Sequence, residues 1–221
     1  MKYCAPKVYR AFVADYFESP IMHLSSLINM ERFRDKYLSA SVGKPLKILD
    51  LGSTEMGACY RPIFQKPGWN YVGVDLSPGP NVDLILKKPY DWREVQSESV
   101  DLLISGQVLE HVEFFWITAL EISRVLRPGG TACLIAPSSG PEHRYPVDCW
   151  RFYPDGMRAF AKFARLECVE VYTNWDDTGD PGSDFWHDSV LVVRKPKRPF
   201  FKSIALRMLQ GAQRFLMSFR L

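Results

Sequence analysis

The sequence has no long apolar run and few cysteines. None of its hydrophobic stretches approaches the ~18 residues that a membrane-spanning helix requires, and residues 1–7 are not followed by the apolar segment of a signal peptide. The five cysteines are an odd number without a Cys-x-x-Cys pair, which argues against a disulfide framework and a zinc site. We therefore expect a cytoplasmic protein with no metal ligand set, in which most cysteines are small core residues. They are Cys4, Cys59, Cys133, Cys149 and Cys168.

Acidic residues are absent from the C-terminal segment. Residues 194–221 hold eight Lys and Arg and no Asp or Glu, whereas residues 1–193 hold 20 basic and 25 acidic residues. A nucleic-acid-binding protein usually carries its basic surface on the folded body, so we expect no nucleic-acid partner. Apolar residues recur every three or four positions in residues 199–221. This spacing predicts a basic amphipathic helix that docks on an anionic membrane surface, on a partner protein or on this chain's own body, with a disordered tail as the alternative.

The remaining composition is that of a globular protein, since 47% of the residues are hydrophobic and 24% are charged. Residues 1–45 have apolar positions three or four apart, which predicts an N-terminal helical segment. Seven short runs rich in Val, Ile and Leu follow, and because they do not alternate with polar residues they are typical of strands covered on both faces. These strands are predicted at residues 46–51, 71–74, 82–86, 100–104, 132–136, 168–172 and 190–193.

Helices are predicted over residues 112–126, with a stop signal at 127–130, and over residues 154–163. Strands that alternate with helices predict an α/β fold with a doubly wound, mostly parallel, seven-stranded sheet. About six residues separate the second and third strands, so either a loop replaces the crossover helix or the third strand is misplaced. The predicted parts are the helical segment at 1–45, the α/β domain at 46–194 and the basic tail at 195–221.

Two of the predicted strands end in a carboxylate. Asp50 lies at the end of the first strand and is followed by Gly52, whose missing Cβ lets a ligand approach the backbone. A plain turn is the alternative interpretation. Asp75 ends the second strand, where adenosine cofactors are held through their ribose hydroxyls. No G-x-G-x-x-G sequence follows the first strand, which argues against a nicotinamide-binding enzyme.

Two further motifs carry a family resemblance. Glu110-His111 follows the fourth strand, and residues 124–130 read RVLRPGG. With these motifs, residues 45–194 resemble the class I S-adenosylmethionine-dependent methyltransferases, and within them the type 11 group. The resemblance implies a Rossmann-like methyltransferase fold and S-adenosylmethionine as the cofactor.

The resemblance also implies which residues hold that cofactor. Asp50 and Gly52 would lie under its methionine part, Asp75 would hold the ribose diol, and residues 105–107 would face the sulfonium. Asp91 is the nearest carboxylate for the adenine amine, and a surface carboxylate is the alternative. The implied set is Asp50, Gly52, Ser53, Asp75, Leu76, Asp91, Ser105, Gly106 and Gln107.

Residues 137–157 concentrate charged and aromatic side chains where a doubly wound sheet places its ligand crevice. His143 can take a proton from a hydroxyl acceptor, Arg144 or Arg151 can clamp a phosphate or carboxylate, and Asp148 can orient either. We predict His143, Arg144 and Asp148 as catalytic residues, with a structural role for His143 and an Asp148–Arg151 pair as alternatives. His111 is interpreted as scaffold.

We therefore expect methyl transfer from S-adenosylmethionine to a small polar acceptor, with O-methylation of a sugar or glycolipid-type compound as the first choice. Thr54 and Met56 stand where the family usually has glycines. This departure motivates an alternative, a catalytically silent methyltransferase-like module that binds a partner or a membrane through its tail. A nucleic-acid methyltransferase is disfavoured because no Asn/Asp-Pro-Pro-Tyr/Phe sequence follows the fourth strand.

Overall fold

The structure, a computed structural model, describes residues 22–197 together with residues 208, 211 and 212. The helical pattern predicted within residues 1–21 and most of the amphipathic helix predicted over residues 199–221 lie outside the described residues. None of the helices in the described part of the chain has the length and apolar character that crossing a bilayer requires.

Seven strands form one sheet, and each predicted run of Val, Ile and Leu contributes one of them. The strands are β1 (Leu46–Leu51), β2 (Trp69–Asp75), β3 (Leu84–Ile85), β4 (Val100–Gly106), β5 (Leu126–Pro137), β6 (Glu167–Thr173) and β7 (Asp188–Arg194). Their order is β3-β2-β1-β4-β5-β7-β6. The pairs among β1 to β5 are parallel, whereas β7 runs antiparallel to β5 and β6. The predicted mostly parallel α/β sheet is thereby confirmed.

Helices cover both faces of the sheet. They are α1 (Leu24–Leu38), α2 (Arg61–Phe64), α3 (Phe115–Val125), α4 (Pro154–Phe163) and α5 (Pro181–Asp184), with single 3₁₀ turns at Ser39–Ser41 and Leu109–His111. Side chains alternate between the faces along each strand. Ile48 and Leu102 therefore join a core with α1 and α2, whereas Leu49 and Leu103 join a second core with α3 and α4.

The segment after β4 differs from its prediction. The helix expected over residues 112–126 begins only at Phe115, and residues 126–130 belong to β5 instead of ending the helix at a glycine. The Gly129 amide donates to the Lys195 carbonyl at 2.7 Å, and the Lys195 amide donates to the Gly130 carbonyl at 2.8 Å. Pairing with the chain that follows β7 thus overrides the local helix-stop signal.

The third strand is shorter than predicted, two residues instead of five, and a loop replaces the crossover helix between β2 and β3. Asp83 holds this loop against the sheet. Its carboxylate accepts the Gly73 amide at 2.7 Å and the Arg61 guanidinium at 2.5 Å. These bonds let the chain return to a parallel register over only two residue pairs, Val74 with Leu84 and Asp75 with Ile85.

The cysteines do not share one environment. The four described cysteines are free, as expected, but only Cys133 is buried in the core. Cys59 is half-buried, and Cys149 and Cys168 are exposed. The expectation of mostly core cysteines is therefore wrong for the described residues, because two of these thiols face solvent.

Candidate active site

The carboxyl ends of β1, β2 and β4 meet at one edge of the sheet. Leu51 pairs with Val74 of β2 and with Ser105 of β4, so the segments that follow these strands start at the same level. The sheet continues through β2 and β3 on one side of β1 and through β4 and β5 on the other. A switch in strand order of this kind opens a crevice in which α/β proteins bind ligands.

Gly52 occupies the turn after β1 for two physical reasons. Its φ is +74°, a left-handed conformation that L-residues with a Cβ rarely adopt. A Cβ at this position would also overlap the Val108 side chain, which follows β4. The turn is held by the amides of Gly52 and Ser53, which both donate to the Val74 carbonyl, at 2.9 and 3.1 Å.

The substitutions of the family's glycines by Thr54 and Met56 leave this loop intact. Positive φ values occur at Gly52 and Gly57, not at Thr54 or Met56. Thr54 contributes its backbone amide, which donates to the Asp75 carboxylate at 3.2 Å. The loop thus keeps glycine where the backbone requires it, which weakens the motive for a silent module.

Asp50 is buried at the end of β1 beneath this loop. The Tyr71 hydroxyl donates to its carboxylate, and the Arg61 guanidinium lies 4.4 Å from the Tyr71 ring centre. Burial raises the pKa of Asp50 to about 7, although the Tyr71 hydrogen bond and the charge of Arg61 act in the opposite direction. The Asn81 side-chain amide donates to the Ser53 carbonyl at 2.8 Å and completes the support of the loop.

Asp75 lies at the rim of the crevice. Its second carboxylate oxygen accepts the Leu76 amide at 2.7 Å, and the Leu76 side chain is 51% exposed. The same oxygen accepts the Ser77 amide at 3.5 Å. A carboxylate offers about four acceptor positions, so Asp75 retains a position for a hydroxyl donor. Asp91, by contrast, accepts the Arg93 guanidinium at 2.7 Å in the segment between β3 and β4.

The end of β4 is the third part of the edge. The Ser105 hydroxyl donates to the Leu51 carbonyl at 3.0 Å and ties the ends of β4 and β1 together. A Cβ at Gly106 would overlap the Tyr60 hydroxyl, so glycine is required there. Gln107, with φ of +59°, donates from its side-chain amide to Asp188 at 2.9 Å.

Asp188 is a buried carboxylate that our sequence analysis missed. It also accepts the Ser25 hydroxyl at 2.5 Å, and the His23 ring nitrogen Nδ1 lies 3.6 Å away. A signal was available in the sequence, since Asp188 is a charged residue at the start of an apolar strand. Because β7 runs antiparallel to β5, the start of β7 lies at the same edge as the end of β5.

The loop after β5 forms a polar cluster of His143, Asp148 and Arg151. The guanidinium donates to both oxygens of Asp148, at 2.6 and 2.8 Å, and the His143 Nδ1 lies 3.2 Å from Asp148 Oδ2. These contacts lower the pKa of Asp148 to about 2 against the effect of burial. Burial, together with the neighbouring His111, lowers the pKa of His143 to about 4, so its ring is neutral at pH 7.

Arg144 does not join this cluster. Its side chain is 73% exposed and pairs with Glu142 at 2.7 Å. Arg151 occupies the position that the sequence left open between the two arginines, and it lies 5.6 Å from the Trp186 ring centre. The structure therefore brings together His143 and Asp148 of the three predicted catalytic residues.

Glu110 and His111 lie against the same loop. The His111 ring meets the His143 ring edge-on, with 4.8 Å between the ring centres, and the His111 Nδ1 lies 2.6 Å from the Val147 carbonyl oxygen. Burial raises the pKa of Glu110 to about 8 and lowers that of His111. No other described residue forms a hydrogen bond with the carboxylate oxygens of Glu110.

Two surface cavities flank these residues. One of about 510 Å³ lies between α1 and residues 55–63, and one of about 610 Å³ lies between residues 139–140 and α5. Neither of these two is lined by Gly52, Asp75 or Gly106. We therefore locate the candidate site from the carboxyl ends of β1, β2 and β4 and from the glycines there, and not from either of these two cavities.

Comparison with known families and curated sequences identifies two likenesses. Residues 49–134 match the family described as "Methyltransferase domain". A curated protein of Mycobacterium avium (strain 104), named "Uncharacterized methyltransferase", is 29% identical over 133 residues, which are 53% of this chain and 50% of that protein. The chain thus spans about half the length of the curated relative that it matches.

Solved structures share the fold at low identity. A SAM-dependent methyltransferase from Methanosarcina mazei has a TM-score of 0.58 at 13% identity, covering 75% of this chain and 98% of its own. The Burkholderia thailandensis 1,6-didemethyltoxoflavin-N1-methyltransferase, solved with S-adenosylhomocysteine, has a TM-score of 0.55 at 18% identity, covering 89% and 93%. These likenesses confirm the Rossmann-like methyltransferase fold that the motifs predicted.

Proposed function

We propose that this chain, whose residues 49–134 match the family described as "Methyltransferase domain", binds S-adenosylmethionine and transfers its methyl group to a small polar acceptor. The observation that carries the proposal is that the Gly52 turn, Asp75 and Gly106 lie at one edge of the sheet, where the strand order reverses beside β1. The Thr54 amide joins two of them through its 3.2 Å hydrogen bond to Asp75.

The residues at this edge fit such a cofactor. Gly52 and Gly106 supply backbone where a Cβ would overlap Val108 or Tyr60, and Asp75 has an acceptor position for a ribose hydroxyl. We place Asp50 and Ser53 beneath the methionine part and Leu76 beside the adenine, with residues 105–107 facing the sulfonium. The Asp91 carboxylate is engaged by Arg93, so its predicted contact with the adenine amine has no support from geometry.

When bound, the cofactor supplies an electrophilic methyl group, and the protein's task is to hold an acceptor atom in line with it and to exclude water. Such positioning can supply ~7–11 kcal/mol of the barrier. Asp148 orients His143, and Arg151 holds Asp148 in turn. Because the His143 ring is neutral, we propose that it accepts a hydrogen bond from the acceptor hydroxyl, aligns the oxygen with the methyl group and takes up the hydroxyl proton when the methyl group is transferred.

A hydroxyl acceptor suits this loop better than a charged one. The Arg151 guanidinium already pairs with Asp148, and Arg144 pairs with Glu142 at the surface, so neither is poised to clamp a phosphate. Neutral imidazole and buried polar groups recognise hydroxyls. We therefore propose O-methylation of a sugar or glycolipid-type compound.

The proposal extends to the organisation of the chain. We assign methyl transfer to residues 46–194, which contain the whole described sheet, and treat residues 1–45 as a helical segment beside it. Residues 195–221, with their excess of Lys and Arg, are proposed to dock on a membrane surface or a partner protein. We propose a cytoplasmic location with contact to the membrane periphery.

A transfer assay tests the function. The purified full chain is incubated with methyl-labelled S-adenosylmethionine and matched sets of sugars, glycolipid precursors and amines. We expect label on a hydroxyl compound, a rate about 10²-fold lower for His143→Ala because a misplaced acceptor loses alignment, and little change for the exposed control Arg144→Ala. Cofactor binding without transfer to any compound favours the silent module, and transfer to amines alone contradicts O-methylation.

A further inference from the structure

Glu110, His111 and His143 form a compact set of metal-ligand side chains. Each offers one ligand atom, and these atoms lie within 4.8 Å of one another. Glu110 is 0% exposed, and the side chains of His111 and His143 are 15% and 19% exposed. Glu110 and His111 follow β4, whereas His143 comes from the loop after β5, so two separate segments of the fold assemble the set.

The His111 imidazole is held in the orientation that metal ligands adopt, because its Nδ1 lies 2.6 Å from the Val147 carbonyl oxygen. The His143 ring is fixed by polar neighbours, since its Nδ1 lies 3.2 Å from Asp148 Oδ2 and 3.5 Å from a guanidinium nitrogen of Arg151. A ring that donates its Nδ1 proton to an oxygen presents an unprotonated Nε2, which is the usual support of a metal-bound histidine. The His111 Nε2 lies 3.7 Å from Glu110 Oε1.

The buried carboxyl group of Glu110 has no hydrogen-bond partner among the described residues. A buried carboxylate without a partner is costly. The nearby Arg151 guanidinium is committed to Asp148 through two hydrogen bonds. The backbone also keeps Glu110 in place, since its carbonyl accepts the Cys149 amide at 2.7 Å.

We propose that Glu110, His111 and His143 bind one divalent transition-metal ion of the Zn²⁺ class. Two imidazole nitrogens and one carboxylate oxygen suit this class, whereas Mg²⁺ and Ca²⁺ prefer ligand sets made of oxygen alone. Three protein ligands leave the fourth tetrahedral position open for water or for an oxygen of the acceptor. Bonds of ~2.0–2.1 Å bring ligand atoms closer together than 4.8 Å, so ion binding would draw these side chains toward one another.

The sequence alone predicts no such site, because Glu110 and His111 are adjacent while His143 is far along the chain. No common zinc spacing connects them. A bound ion would occupy the His143 nitrogen that the proposed function offers to the acceptor hydroxyl, and would hold that hydroxyl through its own open position instead. The site is tested without S-adenosylmethionine, so failure to bind a metal does not imply failure of methyl transfer.

Titration of the full, tag-free chain with Co²⁺ and Zn²⁺ after chelator treatment tests the site. We expect one equivalent of Co²⁺ to produce visible ligand-field absorption and Zn²⁺ to displace it, with a rise in the unfolding temperature. Glu110→Gln and His143→Asn should each weaken binding at least 10-fold. The control Glu142→Gln removes an exposed carboxylate of the same loop and should leave binding unchanged.

Near-UV circular dichroism checks that each variant is folded, and His143→Asn, in a surface loop, preserves the test if Glu110→Gln does not fold. A folded parent protein that binds neither ion overturns the proposal. Binding with the same affinity in the parent and in folded His143→Asn also overturns it, because the ion would then lie elsewhere.

Discussion

Gly52, Thr54 and Gly106 lie at the carboxyl ends of β1 and β4, the proposed cofactor edge, and contribute closely packed backbone and the Thr54 amide. His143 and Asp148 in the neighbouring loop contribute buried, paired side chains. The packing of this edge requires residues without a Cβ atom at Gly52 and Gly106. The loop depends on charges that burial would penalise if they lost their partners. We therefore expect the edge to respond to added atoms and the loop to respond to pH and to the loss of a charge.

Adding one carbon to the edge should produce the largest effect. In Gly52→Ala the new Cβ overlaps Val108 and must adopt a φ of +74°, so left-handed strain and overpacking together should cost about 3 kcal/mol. Urea unfolding measures this loss, and titration with S-adenosylhomocysteine should show that binding is abolished. The double variant with Val108→Ala removes the overlap and should recover part of the stability and part of the binding of S-adenosylhomocysteine.

Two matched variants sharpen this prediction. Gly156→Ala adds a Cβ in α4 with no atom within 4 Å, and it should be neutral or stabilise the protein by up to ~1 kcal/mol. Thr54→Gly restores a family glycine but keeps the amide that donates to Asp75, so affinity should change little. If Gly52→Ala has as little effect on the free energy of unfolding as Gly156→Ala, the predicted overlap between the new Cβ and Val108 is wrong.

Removing one charge from the loop should have a smaller effect that depends on pH. The pKa of Asp148 falls from 3.8 to about 2 on folding, which corresponds to about 2 kcal/mol of stability. Because the folded pKa is depressed, this stability is present above pH ~4 and is lost as the pH falls toward 2. Asp148→Asn should therefore lose about 2 kcal/mol at pH 7 and show a flatter decline below pH 4.

The exposed pair Asp155–Arg158 provides the control for this variant. It has the same i,i+3 spacing, but the Asp155 side chain is 96% exposed. Asp155→Asn should change the free energy of unfolding by less than ~1 kcal/mol, since exposed ion pairs contribute little. Equal effects of the two variants in urea unfolding at pH 7 would show that burial does not strengthen the Asp148–Arg151 pair.

The common edge of β1, β2 and β4 could be predicted because strand ends are visible in the sequence. Runs of Val, Ile and Leu marked β1, β2 and β4, and parallel pairing then brings Gly52, Asp75 and Gly106 to one level. The same reasoning located all seven strands and the start of α4 at Pro154. It erred where distant pairing decides a boundary, as at Gly129, whose partner Lys195 lies beyond β7.

The side-chain cluster could not be predicted in the same way. Glu110 and His111 sit on a 3₁₀ turn, and His143 arrives on a loop whose path no periodicity specifies. The sequence could not show whether Arg144 or Arg151 pairs with Asp148, because the loop conformation determines which guanidinium reaches that carboxylate. Asp188 and Ser25 meet across most of the chain's length, and only the antiparallel addition of β7 brings them together.

The most direct test of the central claim is calorimetric titration of the full chain with S-adenosylhomocysteine, with NAD as the control ligand and Asp75→Ala beside the parent protein. We predict micromolar binding of S-adenosylhomocysteine alone and at least 10-fold weaker binding by Asp75→Ala, because hydrogen bonds to a charged carboxylate contribute ~1.5–3 kcal/mol each. Asp176→Ala, which removes an exposed carboxylate, should bind like the parent. Absence of binding by the folded parent, or equal affinity of Asp75→Ala, would contradict a cofactor site at the ends of β1, β2 and β4.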